Sequence, residues 1–186
     1  VSIIDKSVLQ KLPDFAKRSH WFEKFRKRNG KYWPNEERAD NNNILVSLIA
    51  KDRLVSLLER MINEAEFLSE GGIRALSKYH EKNPYSVTLD GHTYSIQYDP
   101  GDSTSDFFGG NSNWRGPVWM PINFLLIQAV KKYGEFYGDT LTLEYPTGSG
   151  VQLNLLQIAA QLSKRVISLF ELDAQQHRRL HGSYNW

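Results

Sequence analysis

Gly109-Gly110-Asn111-Ser112-Asn113-Trp114-Arg115-Gly116-Pro117-Val118-Trp119-Met120-Pro121-Ile122-Asn123 is the stretch around which the chain is organised. It opens as a loop of glycine and asparagine and closes as the first turn of the most apolar helix in the sequence. Turns favour Gly, Asn, Ser and Pro because these residues tolerate the backbone angles a turn demands. Two tryptophans and an arginine in such a loop need a separate reason, and two readings stand. Trp114 and Trp119 either pack into a core, as tryptophans commonly do, or they form a binding floor. On the second reading their aromatic faces meet apolar ligand faces, while Arg115 and Asn113 supply fixed hydrogen bonds.

The helix that grows out of this stretch is expected over Val118 to Tyr137. Up to Val130 only Asn123 and Gln128 are polar. A helix that is apolar nearly all round is expected to be buried on most sides. Pro121 belongs in its first turn, where no intrahelical N–H is lost. Beyond Val130 the pattern becomes one-sided, with Tyr133, Phe136 and Tyr137 continuing the stripe of Ile122, Leu126 and Val130.

On the N-terminal side, Leu12 to Arg28 reads as a helix, with Leu12, Phe15, Phe22 and Phe25 on one face and Lys17, Lys24, Lys27 and Arg28 opposite. Basic residues interleaved with aromatics fit nucleic acid. With a net charge of only +2 on the whole chain, the preferred reading is a solvated basic face on a core-packed helix, and no nucleic-acid partner is expected. Ile44 to Ile49 is too short to classify. Asp52 is placed to cap a helix reaching about Ala65, with Leu54, Leu58, Met61, Ile62 and Ala65 buried. Ile73 to Lys82 reads as a short helix stopped before Pro84. Asp90-Gly91 is a preferred hairpin turn and pairs Leu89 with His92, Val87 with Tyr94 and Tyr85 with Ile96. Leu141 to Tyr145 is a candidate strand, and Val151 to Leu172 a long amphipathic helix.

Composition bounds the function. The 186 residues make one domain or part of one, with hydrophobic residues at 40% and charged at 24% as in ordinary globular proteins. There is no cysteine, so disulfides and thiolate metal sites are excluded and a reducing compartment fits. No apolar run is long enough to span a membrane and no signal peptide opens the chain, so no membrane partner is expected and a cytoplasmic, bacterial-type location is. The first and last residues look like cut ends. His177 and His181 lack a third ligand and the spacing of a zinc motif, so no metal and no cofactor is expected.

Three stretches together carry a resemblance. Asn111 to Asn123 resembles a signature of glycoside hydrolase family 63, the group of processing α-glucosidases and mannosylglycerate hydrolase relatives. Glu66-Phe67-Leu68-Ser69 with Gly71-Gly72-Ile73-Arg74-Ala75-Leu76-Ser77-Lys78-Tyr79-His80 is similar to a second signature, and Tyr98-Asp99-Pro100-Gly101-Asp102-Ser103 to a third. Residues 64–139 carry the likeness most clearly. It implies a mainly α fold, part of an (α/α)6 barrel (toroid) with one β-hairpin insertion. Such a barrel needs about twelve helices, which a chain of this length cannot supply. Residues 1–186 are therefore expected to be an incomplete catalytic domain of that type, truncated at both ends.

The resemblance also implies chemistry. Glycoside hydrolysis uses two carboxylates, set roughly 6.5–9.5 Å apart in inverting enzymes to admit a water. The general acid and base of the family match no position here, so no catalytic residue is assigned. Asp99, Asp102 and Asp106 read first as turn-forming residues of a glycine loop. Substrate binding does carry over. Trp114 and Trp119 match the family's aromatic positions, with Asn113 and Arg115 as donors; the alternative for Arg115 is that its guanidinium binds a nearby backbone carbonyl or carboxylate and holds the loop. Arg74 is either a second ligand contact or a loop brace. The expected function is thus a fragment of an inverting hydrolase of α-glucosidic or α-mannosidic bonds, whose partners are an oligosaccharide or small glycoside and the rest of its own polypeptide. A non-catalytic carbohydrate-binding or helical scaffold domain is the alternative.

Overall fold

A computed structural model describes residues 1–30, 35–37, 42–99 and 118–181. The N-terminal part builds a three-stranded antiparallel sheet in the order β1-β3-β2, from β1 (Ser2–Asp5), β2 (Asn35–Glu37) and β3 (Asn43–Val46). Leu45 at its centre is fully buried, with Ile3 and Glu36 in register on either side. Between β1 and β2 lie α1 (Lys6–Lys11) and α2 (Pro13–Arg28). Asp5 caps α1 by accepting from Ser7 N at 2.7 Å, and Pro13 starts α2 at a position that needs no intrahelical N–H.

Next comes α3 (Lys51–Met61), which buries Leu54 and Leu58 as its spacing predicts. A tight hairpin follows, β4 (Leu68–Ser69) with β5 (Gly72–Ile73), then a single 3-10 turn over Lys78–Glu81 capped by Ser77. The hairpin of β6 (Tyr85–Leu89) and β7 (His92–Ile96) has the register expected from its Asp90-Gly91 turn, Leu89 opposite His92 and Tyr85 opposite Ile96. Both turn residues have positive φ, as that turn requires.

The core is closed by α4 (Met120–Tyr137) packed against α5 (Leu155–Ser168), with the small hairpin β8 (Thr142–Glu144) and β9 (Gln152–Asn154) between them in sequence. Val130, Tyr133, Phe136 and Tyr137 of α4 meet Leu155, Ile158, Ala159 and Leu162 of α5 within one buried cluster that also holds Leu45, Leu54, Leu58 and Ile62. A capping box starts α5: Asn154 accepts from Gln157 N at 2.9 Å, and Gln157 accepts from Asn154 N at 2.9 Å.

The expected mainly α architecture, a part of an (α/α)6 barrel with one hairpin, is overturned. The described residues hold five α-helices and nine strands in four small antiparallel sheets, a mixed α/β arrangement without a toroid of paired helices. The strands are two to five residues long, too short to register against a helical period over a window of ten or more residues. One of them, β1, pairs with β3 although α1 and α2 separate the two in the chain. The segment Ile73 to Lys82, expected as a helix, is instead the end of a strand followed by a 3-10 turn. The helix from Val151 begins four residues later, because Gln152–Asn154 pairs with β8. Finally, α2 is not core-packed: it has no buried residue, and Phe15, Trp21, Phe22 and Phe25 are exposed.

Two features make checkable claims about stability. A Cβ on Gly134 would stand 2.8 Å from the backbone nitrogen of Leu156, so this mid-helix glycine is where α4 and α5 touch. Replacing it with Ala should lower stability by about 1–3 kcal/mol despite the better helix propensity of Ala. A denaturant midpoint that rises for Gly134→Ala would overturn this packing. The second feature is Tyr145, whose buried hydroxyl meets no hydrogen-bond partner among the described residues. Burial pushes its phenol above the ordinary value of 10.0, against the pull of the Arg165 guanidinium. A raised folded-state value means that the stability from this group is complete below about pH 10 and is lost as pH climbs through the folded value. Tyr145→Phe should therefore be within about 1 kcal/mol of wild type at neutral pH. Its Tm should fall less steeply with pH than that of wild type above pH 10, which thermal scans at increasing pH would read.

Candidate functional site

The site grows from one buried polar side chain. Asn123 sits in the first turn of α4 with 2% of its surface exposed. Its Oδ1 accepts from Ile73 N at 2.7 Å, and its Nδ2 donates to Ile73 O at 2.9 Å and to Trp119 O at 3.1 Å. Both amide donors and the carbonyl are thereby satisfied, which is the condition for burying such a group at all. The two bonds to Ile73 are those a neighbouring strand would make. Since β5 pairs only with β4, the amide of Asn123 completes the hairpin's other edge.

Gly72 permits this approach. Its φ is +128°, and a Cβ there would lie 2.8 Å from Asn123 Oδ1 and 3.3 Å from Val118 Cγ1. Only glycine fits, for the backbone angle as well as the space.

Arg74, one residue past β5, turns back over the same hairpin. Its Nη1 donates to the carbonyls of Glu64 at 3.1 Å and Glu66 at 3.3 Å and to that of Leu68, while Nε donates to the Tyr98 hydroxyl at 3.3 Å. These bonds make Arg74 a brace: its fork is spent on backbone carbonyls at the end of the α3–β4 connection. Glu66 in the same connection accepts from the Ser77 hydroxyl and lies 3.7 Å from Arg60 Nη1. Tyr98 N donates to His80 O at 3.3 Å, and Gln97 Nε2 donates to the nearly buried Asp99 at 3.0 Å.

Of the residues picked out from sequence, Trp119 and Arg74 fall in this region. Trp119 is half-buried and is the N-cap residue of α4, its carbonyl accepting from both nitrogens of Asn123. Asn113, Trp114 and Arg115 lie outside the described residues, as do Asp102 and Asp106. Asn123 and Tyr98 were not singled out as site residues. The signal for Asn123 is visible in retrospect: a lone amide inside a turn otherwise apolar has to be spending its hydrogen bonds on something. Among the described residues no cluster of three His, Asp or Glu could hold a metal ion, and no helix is long and apolar enough to cross a membrane.

The arrangement joins the three sequence signatures. Asn123 ties residues 118–123 to residues 71–74, and Arg74 ties these to Tyr98. What they form is a platform of hydrogen-bonded backbone beside Trp119, in a region that also holds the Glu66 and Asp99 carboxylates. A separate cleft of about 400 Å³ lies between α3 and α4, lined by Leu54, Leu58, Met61, Phe67, Leu126 and Val130, with Arg60 and Arg74 at its edge. It is walled almost wholly by carbon and does not include Trp119, so it offers a polyol few hydrogen bonds.

No family model matches the chain, and no solved structure matches it. The chain is similar to the uncharacterized protein YMR196W of Saccharomyces cerevisiae, 40% identical over 180 residues that make up 96% of the chain. They cover 16% of the yeast protein, so the chain spans less than a fifth of that relative's length.

The platform gives a direct test. Asn123→Leu keeps the size but leaves the N–H and C=O of Ile73 without their partner, and should cost about 2–5 kcal/mol. Asn123→Asp retains the acceptor and sets a carboxylate against two carbonyl oxygens, and should cost at least as much near neutral pH. Equilibrium unfolding of either variant at wild-type stability would mean that the amide is not what joins these segments.

Proposed function

We propose that this chain is part of a sugar-processing enzyme, a glycoside hydrolase of the family 63 kind, and that it contributes substrate-positioning residues while the general acid and base lie elsewhere in a longer polypeptide. One observation carries the reading. The three stretches that resemble that family's signatures, 66–80, 98–103 and 111–123, are hydrogen-bonded to one another through Asn123 with Ile73 and Arg74 with Tyr98.

On this reading Trp119 offers an indole face to the C–H face of a pyranose, whose hydroxyls point outward to polar groups. Its backbone carbonyl accepts from Asn123 at the start of α4, which ties the main chain there to the β4–β5 hairpin. Arg74 acts through the platform and is a positioning residue. The substrate is an α-glucoside or α-mannoside, as the resemblance implies, and hydrolysis inverts the anomeric centre. A non-catalytic carbohydrate-binding role is the second reading, since neither the general acid nor the general base of the family has a matching position in this sequence.

The experiment is turnover of α-glucosides and α-mannosides by the full-length polypeptide, with the anomer of the first-formed product read by NMR. Trp119→Ala should lower kcat/KM about 30- to 1,000-fold, equivalent to roughly 2–4 kcal/mol of transition-state stabilisation. Because Trp119 is half-buried, the variant should lose only about 1–2 kcal/mol of stability. Binding of the sugar without turnover would select the second reading, and Trp119→Ala with unchanged binding and turnover would end both.

A further inference from the structure

The exposed surface of α4 changes character halfway along. Its outer face in the last turns is polar, with Lys131, Lys132 and Glu135 in solvent and a 2.6 Å ion pair between Lys132 and Glu135. In the first turns the exposed positions are Ile122, Phe124 and Leu125, the last two 61% and 60% exposed. Ile122, Leu125 and Ala129 form one row at helical spacing, and Ala129 is also a wall of the apolar cleft between α3 and α4. Across that cleft Leu57 of α3 is more than half exposed, and Leu48 just before α3 is almost fully so. The cleft and its two rims are therefore one continuous apolar strip, with Arg53 and Arg60 of α3 along its outer edge.

We propose that this strip is an intramolecular interface, filled by the apolar face of a helix contributed by a part of the same polypeptide beyond these 186 residues. A groove between two helices walled by aliphatic side chains is the receptor geometry for an amphipathic helix, which inserts residues at helical spacing. The Arg53 guanidinium, in the groove beside Leu57 that Asp52 and Arg60 also line, complements an acidic residue on the flank of that helix. The occupant's origin follows from length: the yeast relative aligns with nearly all of this chain yet carries it as 16% of its own. Burying Phe124, Leu125, Leu57 and Leu48 removes a patch that an isolated monomer rarely leaves open. Ile73 and Arg74 of the platform also line the cleft, but the inference does not require that a sugar be bound beside Trp119.

The test uses the full-length polypeptide, at concentrations where sedimentation shows a monomer. Single variants Leu57→Cys, Leu125→Cys and, as the exposed reference, Lys132→Cys are treated with a maleimide, and modification is located by peptide mass spectrometry. This segment has no cysteine of its own, so each new thiol is identified by its peptide. Leu57→Cys and Leu125→Cys should react at least about tenfold more slowly than Lys132→Cys in the native protein, and all three at equal rates in denaturant. Hydroxyl-radical oxidation of Phe124 in the unsubstituted protein gives the same reading without any substitution. Native rates equal to that of Lys132→Cys, or Phe124 oxidised as readily as in the unfolded chain, would overturn the proposal. So would protection that appears only as protein concentration rises or only when lipid vesicles are added, since the occupant would then be a second copy or a membrane.

Discussion

Everything near Trp119 depends on one amide. Asn123 binds the main chain of Ile73 through two hydrogen bonds and its own helix terminus through a third. Each would be modest in water, where forming it only exchanges one partner for another. Buried, the balance changes, because an orphaned N–H or C=O inside the protein carries its full desolvation cost. The consequence is an all-or-none junction: either β5 meets α4 in this geometry or both segments leave polar groups stranded. A hairpin as short as β4–β5 has little cohesion of its own, and the helix supplies the missing edge.

That dependence explains the glycines around it. Gly72 has a φ that disfavours any side chain and has no room for one against Asn123. Gly71 is pressed from the other side, where a Cβ would come within 2.7 Å of the flexible end of Leu169. Gly134, one surface away, lets α5 approach α4 as closely as backbone allows. Small residues here are a requirement of distance, set by what has to touch what.

How much of this the sequence reveals varies with the range of the interaction. Local signals hold: the Asp90-Gly91 hairpin has its expected register, Leu54 and Leu58 are buried on α3, and Pro13 and Pro121 sit in first turns. Signals that need a partner fail. Ile44 and Leu45 become a strand because β1 and β2 flank them, and β1 is separated from them in the chain by two helices. The apolar first half of α4 implies burial on most sides, yet Phe124 and Leu125 face outward. Hydrophobicity reports that a side chain prefers to be covered and says nothing of which segment covers it. The mixed fold leaves little trace in the sequence for the same reason, because strands of two or three residues carry no period. Of the candidate site, the aromatic position Trp119 and the brace Arg74 were legible as unusual residues in glycine-rich surroundings, while Asn123 was hidden by looking like an ordinary helical amide.

The roles of the two arginines show why residue type alone does not define a site. Arg74 and Arg165 both resemble ligand-binding groups near an aromatic ring: Arg74 lies 5.7 Å from the Tyr98 ring centre and Arg165 5.6 Å from that of Tyr145. Both, however, direct their donors to the same short hairpin. Arg74 binds the carbonyl of Leu68, and Arg165 binds that of Ser69 at 2.8 Å while pairing with Glu64 at 3.1 Å. With Asn123 on Ile73, three side chains from three parts of the chain hold the hairpin at Leu68, Ser69 and Ile73. Such a grip has a cost in ordering, since long side chains lose rotamer freedom when held. It is worth bearing where a ligand is to be met by a surface that does not rearrange, because orientation fixed in advance is not lost at the moment of binding. The platform beside Trp119 has that property, and it is the firmest physical reason for looking there first.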